Sequence, residues 1–403
     1  LIDADNLKRM NDSFGHNVGD ALIETIGVRL AGCAVGDSLV CRKGGDEFIL
    51  LTRAADGDGV EQMARIVHAN LNRPFRHEAR WLPMHCSVGG ACKPLCEADL
   101  GDLLVDADRA LQFAKMKRGH GLQMSTPTVR AVFEREARLV TGLRRALARD
   151  AIELVFQPIT GPRGQSVRGA EALLRWKDGA RGDVAPPEII ALAKREGLGG
   201  RLTDAILRRA LTTAGHWPAH FFVSVNVGAA ELVRPDFADR IRAALVRQKF
   251  PPHRLWIEIT ETEALIESQS LSAAIRDIRD MGVRFALDDF GSGYSSIETL
   301  QSCRTDVIKF DRVVMQGARH GGGGRKLLEA LIAVAREQSL TVLVEGVEER
   351  EDLEIMRQID VDFLQGFHMY RPMDSRTFDQ IVAQDVVATE VSHASPQVAE
   401  QGP

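Results

Sequence analysis

The sequence predicts an α/β protein of two domains, in which a smaller α/β domain precedes a closed barrel of repeated β-strands and α-helices. The first observation is length, because 403 residues exceed what one hydrophobic core usually serves. The second is that short apolar runs alternate with helical patterns from Ala151 onward, as in successive βα units. The third is that a polar, mostly acidic residue stands at the end of one apolar run after another. A (β/α) barrel is the simplest closure of such units, and its strand ends share one rim.

The composition is that of an ordinary globular protein and argues against several functional classes. Hydrophobic residues make up 44% and charged residues 27% of the chain, close to the averages for folded domains. The net charge of -5 gives no overall attraction to a nucleic-acid polymer or an anionic membrane, so any phosphate binding has to be local. No apolar run approaches the roughly 18 residues of a membrane span. We therefore expect a cytoplasmic protein with no membrane segment in this chain.

The cysteines and the first residues bear on the cellular context. The six cysteines are irregularly spaced, and the close pair Cys92 and Cys96 lacks a second pair with nearby histidines. Free thiols are therefore favoured over disulfides or a zinc site. Leu1 and Ile2 are typical of the end of a strand, which is consistent with a fragment of a longer protein; an upstream sensor or membrane segment stays an open alternative.

The N-terminal domain is predicted to span residues 1–123. Residues 17–30 place apolar side chains at helical spacing, whereas residues 48–51 and 85–91 are apolar runs typical of strands. This mixture predicts an α/β sandwich.

A connector at residues 124–149 precedes the barrel, since Val129–Arg149 has the pattern of one charged amphipathic helix. The barrel domain is assigned to residues 150–386. Its helical patterns are Ile189–Ala193, Leu202–Leu211, Phe237–Leu245, Leu271–Ile278 and Leu327–Arg336. Residues 387–403 are small and polar, which predicts a disordered tail.

A run of four glycines at residues 321–324 precedes Arg325 and Lys326. It lacks the spacing of a phosphate-binding loop and does not directly follow an apolar strand. We interpret it as a flexible loop leading into the next helix.

The polar residues at the strand ends of the barrel form a candidate metal site, in which the carboxylates and the Asn would be the ligands. In chain order they are Glu171, Asn226, Glu258, Asp288, Asp289, Lys309 and Glu345. Because strand ends share one rim, these side chains should meet around a point, and their oxygen atoms suit hard divalent cations. A lone acidic residue after a strand is more often a helix cap or a solvated loop residue. Capping gives no reason for two adjacent aspartates, which repel each other unless a cation lies between them. Two metal ions about 3.5 to 4 Å apart would use such a bridging ligand and would hold an attacking water and a phosphodiester together.

These residues resemble the EAL domain family of cyclic-di-GMP phosphodiesterases over about residues 140–384. The signature matches Glu171-Ala-Leu-Leu-Arg-Trp176. The other matching motifs are Phe156-Gln-Pro158, Asn226, Glu258-Ile-Thr-Glu261, Asp288-Asp-Phe-Gly-Ser-Gly-Tyr294, Lys309-Phe-Asp311, Glu345-Gly-Val-Glu348 and Gln365-Gly366. Ser292 and Gly228 depart from the usual Thr and Ser, but neither change removes a ligand. The resemblance implies a modified (β/α)8 barrel that hydrolyses cyclic-di-GMP to linear pGpG.

The resemblance also implies which residues hold metal. The first Mg²⁺ or Mn²⁺ would be held by Glu171, Asn226, Glu258 and Asp288. The second would be reached by Asp288 and Asp289, with Glu345 completing the cluster. Lys309 would hold and polarise the attacking water, so the residues implied in catalysis are Glu171, Asp288, Lys309 and Glu345.

A further group of residues would handle the substrate. By the same resemblance, Arg175 would meet a substrate phosphate. The residues that would position the dinucleotide and the site waters are Gln157, Asp311 and Gln365. Glu261 would tether the loop at residues 289–296 and thereby couple metal binding to loop order.

The N-terminal segment, about residues 1–121, resembles the GGDEF family of diguanylate cyclases. The signature matches Arg42-Lys-Gly-Gly-Asp-Glu-Phe48, whose glycine pair suits a hairpin that lets the backbone approach a ligand. The other matching motifs are Asp3-Ala-Asp-Asn-Leu-Lys8, Asn11-Asp12, Gly15-His16, Gly19-Asp20, Ser87-Val-Gly89 and Ala107–Lys115.

Carried over, these motifs imply a GTP site. Asp3 and Asp46 would bind Mg²⁺ on the GTP phosphates, with Glu47 supporting the metal or the transition state. Asn11 and Asp20 would read the guanine edge. Lys115 would contact the phosphates.

Three departures from the GGDEF pattern weaken the case for synthesis by this domain. The family's first helix and most of its first strand are absent from this chain. Gly119 stands where an Arg often follows the Lys, although Arg118 is adjacent. Val35 and Ser38 occupy the positions of the R-x-x-D product-inhibition motif.

We therefore expect a metal-dependent cyclic-di-GMP phosphodiesterase whose GGDEF domain is a GTP-binding regulatory module, and the resemblance implies a homodimer. One alternative is a bifunctional protein with diguanylate cyclase activity in the intact chain. Another is a non-catalytic cyclic-di-GMP receptor, although receptors of this kind usually lack a metal ligand.

Overall fold

The computed structural model describes residues 1–95, 99–116, 121–179, 182–261, 269–292, 305–319 and 322–393. The chain divides into two compact units, Leu1–Leu139 and Val140–Pro403. The division falls within the helix Pro127–Ala148, in the region of the predicted connector. Within the described part of the chain, no helix is both long and apolar enough to cross a membrane.

The first unit is an α/β domain with a five-stranded sheet and a separate two-stranded hairpin. Its strands are β1 (Ile2–Ala4), β2 (Leu39–Gly44), β3 (Glu47–Leu51), β4 (Phe75–His77), β5 (Arg80–Leu82), β6 (Cys86–Gly90) and β7 (Leu122–Met124). Its helices are α1 (Leu7–Phe14), α2 (His16–Cys33), α3 (Gly57–Leu71), α4 (Leu100–Met116) and the connector helix α5 (Pro127–Ala148). The sheet order is β2-β3-β1-β6-β7, in which only β6 and β7 are parallel.

The core of the first unit explains why its predicted elements are confirmed. Leu22, Ile26 and Leu30 recur at helical spacing on α2 and are buried together with Val67 and Leu71 of α3. The apolar runs at β3 and β6 flank the short central strand β1 and pair with it. Burial of these alternating apolar residues is the main driving force for the sheet.

The second unit is a barrel. Its strands are β8 (Glu153–Thr160), β9 (Val167–Lys177), β10 (Asp183–Val184), β11 (Phe222–Asn226), β12 (Leu255–Thr260), β13 (Arg284–Phe290), β14 (Val307–Phe310), β15 (Thr341–Val344) and β16 (Phe363–Leu364). Its helices are α6 (Pro186–Arg195), α7 (Gly199–Ala214), α8 (Ala229–Leu232), α9 (Phe237–Gln248), α10 (Gln269–Arg279), α11 (Arg312–Arg319), α12 (Gly322–Glu337), α13 (Arg350–Met356) and α14 (Ser375–His393), with a 3₁₀ turn at Pro252–Arg254. The sheet order is β10-β9-β11-β12-β13-β14-β15-β16-β8, and a further pairing of β8 with β9 closes it. The predicted barrel is confirmed.

One barrel strand runs against the others. β8 is antiparallel to both β9 and β16, whereas β9 and β11 to β16 are parallel. The connection from β8 to β9 consists of residues 161–166. A connection this short permits a hairpin but not the crossover that two parallel strands need. The barrel is therefore of the modified kind that the family resemblance implied.

The interior of the barrel consists of an apolar layer and a polar layer. The apolar layer is formed by Ile159, Phe222, Trp256, Ala286, Val307 and Leu343, with Phe363 against it. The rings of Phe222 and Trp256 stack with centroids 3.6 Å apart. Because side chains alternate between the two faces of a strand, the residue two positions along also faces inward. Two positions beyond this layer stand Glu258, Asp288, Lys309, Glu345 and Gln365, and two positions before Ile159 on the reversed strand stands Gln157.

Two sequence predictions need correction. The glycine run is not a loop in its described part, because Gly322 begins α12. A Cβ at residue 324 would lie 2.0 Å from the carbonyl oxygen of Gly317, so the glycine lets α11 and α12 approach closely. The last helix, α14, continues to His393, beyond the predicted start of the tail at 387, because neither Gly nor Pro interrupts the chain between Ser375 and His393. Residues 394–403 lie outside the described residues.

Free thiols are confirmed for four of the cysteines, Cys33, Cys41, Cys86 and Cys92. Cys96 and Cys303 lie outside the described residues.

Candidate active site

Lys309 lies at the centre of the polar layer and is only 1% exposed. Its ammonium nitrogen lies 2.7 Å from Glu345 Oε1 and 2.9 Å from both Glu258 Oε2 and Asp288 Oδ1. Glu171 Oε2 is 3.8 Å away. Four carboxylates thus surround one ammonium. The side chains of this layer bring together the strand-end residues that the sequence predicted.

Glu171 is held by two amide side chains. Asn226 donates from Nδ2 to Glu171 Oε1 over 2.7 Å, and Gln365 donates from Nε2 to Oε2 over 2.9 Å. Burial would raise the pKa of Glu171, but Lys309 and these hydrogen bonds lower it overall. The carboxylate is therefore ionised and fixed in orientation.

The sequence pattern predicts that Glu171 ends its strand, and this prediction is wrong. It lies within β9, which continues to Lys177 because its later residues still pair with β8 and with β10. Its register partner on β11 is Ser224, so it still reaches the level of the polar layer.

Burial and the crowding of the carboxylates favour the protonated forms of Glu258 and Glu345. Burial raises the pKa of Glu258 well above its ordinary value, and the neighbouring Glu171 and Asp288 raise it further despite Lys309. Burial raises the pKa of Glu345 to about 8. Burial would lower the pKa of Lys309, but the surrounding carboxylates raise it well above its ordinary value. Like charges held together in a buried site favour the binding of a further cation.

A backbone irregularity places Asp288 and Asp289 on the same side. The register of β13 against β14 shifts between Leu287 and Phe290, and Asp289 has a left-handed φ of 57°. In a regular strand the two carboxylates would point to opposite faces. A left-handed non-glycine residue costs about 1 kcal/mol or more, which is the kind of strain found at functional sites.

The carboxylates fit a pair of divalent cations. Oxygen atoms of Glu171, Glu258 and Asp288 lie within 4.8 Å of one another, and so do those of Asp288, Asp289 and Glu345. Asp288 is common to both groups, as a bridging ligand would be. Glu258 Oε1 is buried without a hydrogen-bond partner, which is costly unless a further group occupies its lone pairs. All of these donors are oxygen atoms, the ligand type preferred by Mg²⁺ and Mn²⁺.

The predicted substrate residues lie around this cluster, although their contacts with substrate stay predictions. Gln157 of β8 is the register partner of Glu171, and Arg175 is half-buried four positions further along β9. Asp311 directly follows β14 and accepts a hydrogen bond from the amide of Val313 over 2.8 Å. Glu261 is buried directly after β12. Residues 293–296 of the predicted loop lie outside the described residues, so the tether from Glu261 is not tested.

The candidate residues of the first unit include two register partners, Asp3 on β1 and Glu47 on β3. Asp3 is buried on β1 and pairs with Lys115 over 2.7 Å, whereas Glu47 pairs with Lys43 over 2.7 Å. Burial raises the pKa of Asp3 although Lys115 opposes the shift. Asp46 is half-buried in the turn between β2 and β3, where Gly45 has a φ of 53°. Among the described residues of this unit, no three acidic groups lie close enough to share an ion.

Asn11 and Asp20 have different surroundings. Asn11 Oδ1 is buried and has no hydrogen-bond partner among the described residues. A Cβ at residue 19 would lie 1.9 Å from that oxygen, so glycine is needed there. Asp20 is exposed. Arg118 and Gly119 lie outside the described residues.

Sequence reasoning missed one pair near the site. Arg319 and Asp352 form an ion pair beside the segment that follows Glu345. The available signal was the helix start at Glu349 with an acidic residue three positions later, which is typical of a capping box.

Two family models match this chain. The family model for the EAL domain matches residues 141–372, and the model for the diguanylate cyclase GGDEF domain matches residues 1–120. The bifunctional diguanylate cyclase/cyclic di-GMP phosphodiesterase MucR of Pseudomonas aeruginosa is 30% identical over 93% of this chain and 55% of its own length. The cyclic di-GMP phosphodiesterase PdeR of Escherichia coli is 31% identical over 94% of this chain and 58% of its own length.

A solved structure agrees with these matches. The PaMucR phosphodiesterase in complex with c-di-GMP is 29% identical, covers 60% of this chain and 99% of its own, and has a TM-score of 0.56. The chain spans about half the length of the curated relatives it matches.

Proposed function

Because the chain belongs to the EAL domain family and carries a GGDEF domain before the EAL domain, we propose that it hydrolyses cyclic-di-GMP to linear pGpG in a metal-dependent reaction. The relatives named as cyclic di-GMP phosphodiesterases and the neighbouring structure that holds c-di-GMP support this substrate. The observation that carries the proposal is the convergence of Glu258, Asp288 and Glu345 within 2.9 Å of the buried ammonium of Lys309.

The residues of the polar layer divide the work of binding metal. Glu171, Asn226, Glu258 and Asp288 would hold one Mg²⁺ or Mn²⁺, and Asp288, Asp289 and Glu345 would hold the second. Two such ions supply Lewis acidity toward the phosphodiester and make a water nucleophilic at neutral pH. Asn226 and Gln365 keep the Glu171 carboxylate in a single orientation, which lowers the reorganisation needed at each turnover.

Lys309 and the residues of the rim would act on the substrate and the water. The ammonium of Lys309 can donate three hydrogen bonds, so it can orient the attacking water while it holds the carboxylates in place. Arg175 would pair with a substrate phosphate through its planar guanidinium. Gln157, Asp311 and Gln365 would orient the dinucleotide.

For the first unit, we propose a GTP-binding regulatory module. The matched GGDEF signature supports GTP as its ligand. The departures from the GGDEF pattern, among them Gly119 where an Arg often stands, support regulation rather than catalysis by this unit. Cyclase activity in the longer protein and a homodimer are further proposals, because diguanylate cyclases join two GTP molecules.

The direct test is chromatographic detection of pGpG after the purified chain is incubated with cyclic-di-GMP. The reaction is run with Mg²⁺, with Mn²⁺ and with EDTA, each with and without GTP, and Glu171→Ala is the matched control. Product that requires metal and Glu171 is expected, and a rise with GTP would support the regulatory role. Binding of cyclic-di-GMP without any product would overturn hydrolysis in favour of the receptor alternative.

A further inference from the structure

We propose that Arg319 and Asp352 are positioning residues that fix Glu345 against Lys309, an inference that rests on the proposed function. Neither residue contacts the carboxylate cluster directly. Their effect would pass through the segment that follows β15.

The segment after Glu345 lies in a narrow space. The amide of Glu345 donates to the carbonyl of Phe310 over 2.9 Å, which attaches the end of β15 to the end of β14. Gly346 has a φ of 69°, and a Cβ at this residue would lie 2.2 Å from the Cβ of Arg312. The segment therefore lies directly against the start of α11.

Asp352 holds this segment from its other end. Its side chain is fully buried, and its Oδ2 accepts hydrogen bonds from the amides of Glu348 and Glu349, each over 2.9 Å. Glu349 caps α13 reciprocally. A fully buried carboxylate is costly unless it is paired and hydrogen-bonded, so Asp352 depends on a cation.

Arg319 supplies that cation from a different element. Its Nε donates to Asp352 Oδ1 over 2.9 Å, and its Nη2 donates to Oδ2 over 2.5 Å. Its Nη1 donates to Glu349 Oε1 over 2.8 Å. Arg319 is the last residue of α11, and α11 begins two positions after the end of β14, the strand of Lys309.

The ion pair and the active-site contact therefore connect the same two chain segments. Lys309 meets Glu345 over 2.7 Å at the barrel rim, and Arg319 meets Asp352 beyond it. A serine or an asparagine could accept the two amides, so capping alone does not require a buried charge. A bidentate pair adds a fixed mutual orientation, because the planar guanidinium matches the carboxylate in only a few geometries.

The chain offers a matched control at the opposite end of β15. Arg336 Nη1 donates to Asp362 Oδ2 over 2.7 Å, and the same oxygen accepts the amide of Val342 over 2.7 Å. Arg336→Gln therefore removes a similar arginine–aspartate pair that holds the other end of β15, away from Glu345. Arg319→Gln is the test variant, and Asp352→Asn keeps an acceptor for the amides while it removes the charge.

The experiment measures Mn²⁺ binding by calorimetry without substrate, kcat and KM for cyclic-di-GMP, and the melting temperature. For Arg319→Gln and Asp352→Asn we expect Mn²⁺ affinity and kcat to fall about 10-fold with KM nearly unchanged, since outer partners of metal ligands typically contribute about 10- to 100-fold. Arg336→Gln should lower the melting temperature similarly and leave both quantities unchanged.

The positioning role is overturned if Arg319→Gln behaves like Arg336→Gln in Mn²⁺ affinity and in kcat. A wild-type chain that binds Mn²⁺ but forms no pGpG would contradict the proposed function, and the binding comparison would still decide the inference. A wild-type chain that binds no Mn²⁺ would overturn both. Should Arg319→Gln not fold, Arg319→Lys keeps the charge without the bidentate geometry and should show a smaller loss in the same two quantities.

Discussion

In the barrel, four carboxylates lie within 3.8 Å of the ammonium of Lys309, whereas in the first unit Asp3 and Glu47 are each paired with a different lysine. Both regions carry the acidic signature motif of the family that they match. The barrel assembles its residues because its parallel strands bring alternate side chains to one level. In the first unit, Asp3 and Glu47 are register partners on neighbouring strands, but each carboxylate pairs with a lysine. Among the described residues of this unit, no three acidic groups lie close enough to share an ion. A motif therefore predicts a site more securely when its residues share one repeating element.

The largest expected difference between the two regions concerns hydrolysis of cyclic-di-GMP. Glu171→Ala should lower kcat/KM by more than about 100-fold, because even outer partners of metal ligands cost about 10- to 100-fold. The folded state should persist, since a polar residue at this level contributes little to the apolar core. Chromatographic pGpG assays with circular dichroism check both points. Activity near that of the wild type would contradict the site.

A smaller loss of activity is expected when the ammonium of Lys309 is removed. Lys309→Ala should lower kcat by roughly 10- to 100-fold while KM changes less than about 3-fold, because the ammonium orients groups at the reaction centre rather than the distant parts of the substrate. Steady-state kinetics with saturating Mn²⁺ measure the two constants. Equal losses in kcat and in 1/KM would show that Lys309 acts through substrate binding instead.

The crowded carboxylates of the barrel site predict a pH dependence in EDTA. The folded state retains a proton on Glu345, because burial raises its pKa from 4.5 to about 8. Its contribution to stability is therefore complete below about pH 4.5 and is lost as the pH rises through about 8. The free energy of unfolding should fall by up to about 1.4 kcal/mol per pH unit for the proton retained.

Urea denaturation from about pH 5 to about pH 9 tests this slope. Glu345→Gln should flatten it, since its side chain does not titrate. Parallel curves for the wild type and the variant would assign the pH dependence to other groups.

The smallest effect on hydrolysis is expected for a substitution in the first unit. Asp46→Asn in the first unit should leave hydrolysis without GTP within about 2-fold, because Asp46 lies outside the carboxylate cluster of the barrel and Asp→Asn alters no core packing. Any stimulation by GTP should weaken. The pGpG assay over a GTP series measures both, and a loss of basal hydrolysis would link the first unit to catalysis.

Much of this architecture could be predicted from the sequence. The apolar patterns identified α2, β3 and five of the barrel helices (α6, α7, α9, α10 and α12), because apolar spacing directly reflects which face is buried. The strand-end carboxylates identified the site for the same reason. The reversal of β8 depends on the short connection at residues 161–166, which the pattern of apolar residues does not describe. The glycine run at the start of α12 was misread because Gly324 packs closely against Gly317 of α11, and a contact between two helices leaves no mark on the local glycine pattern. The pair Arg319 and Asp352 joins residues too far apart in the chain for spacing to reveal.

The apolar layer beneath the polar residues limits how molecules enter and leave the site. Phe222, Trp256 and their neighbours fill the interior of the barrel beneath the carboxylates, so access to the carboxylates is expected from the rim face. Cations, water and dinucleotide would all have to arrive by that face, and the linear product would have to leave by it. Metal ions should then bind before the dinucleotide and leave after the product, because a bound dinucleotide would block the face through which the ions exchange.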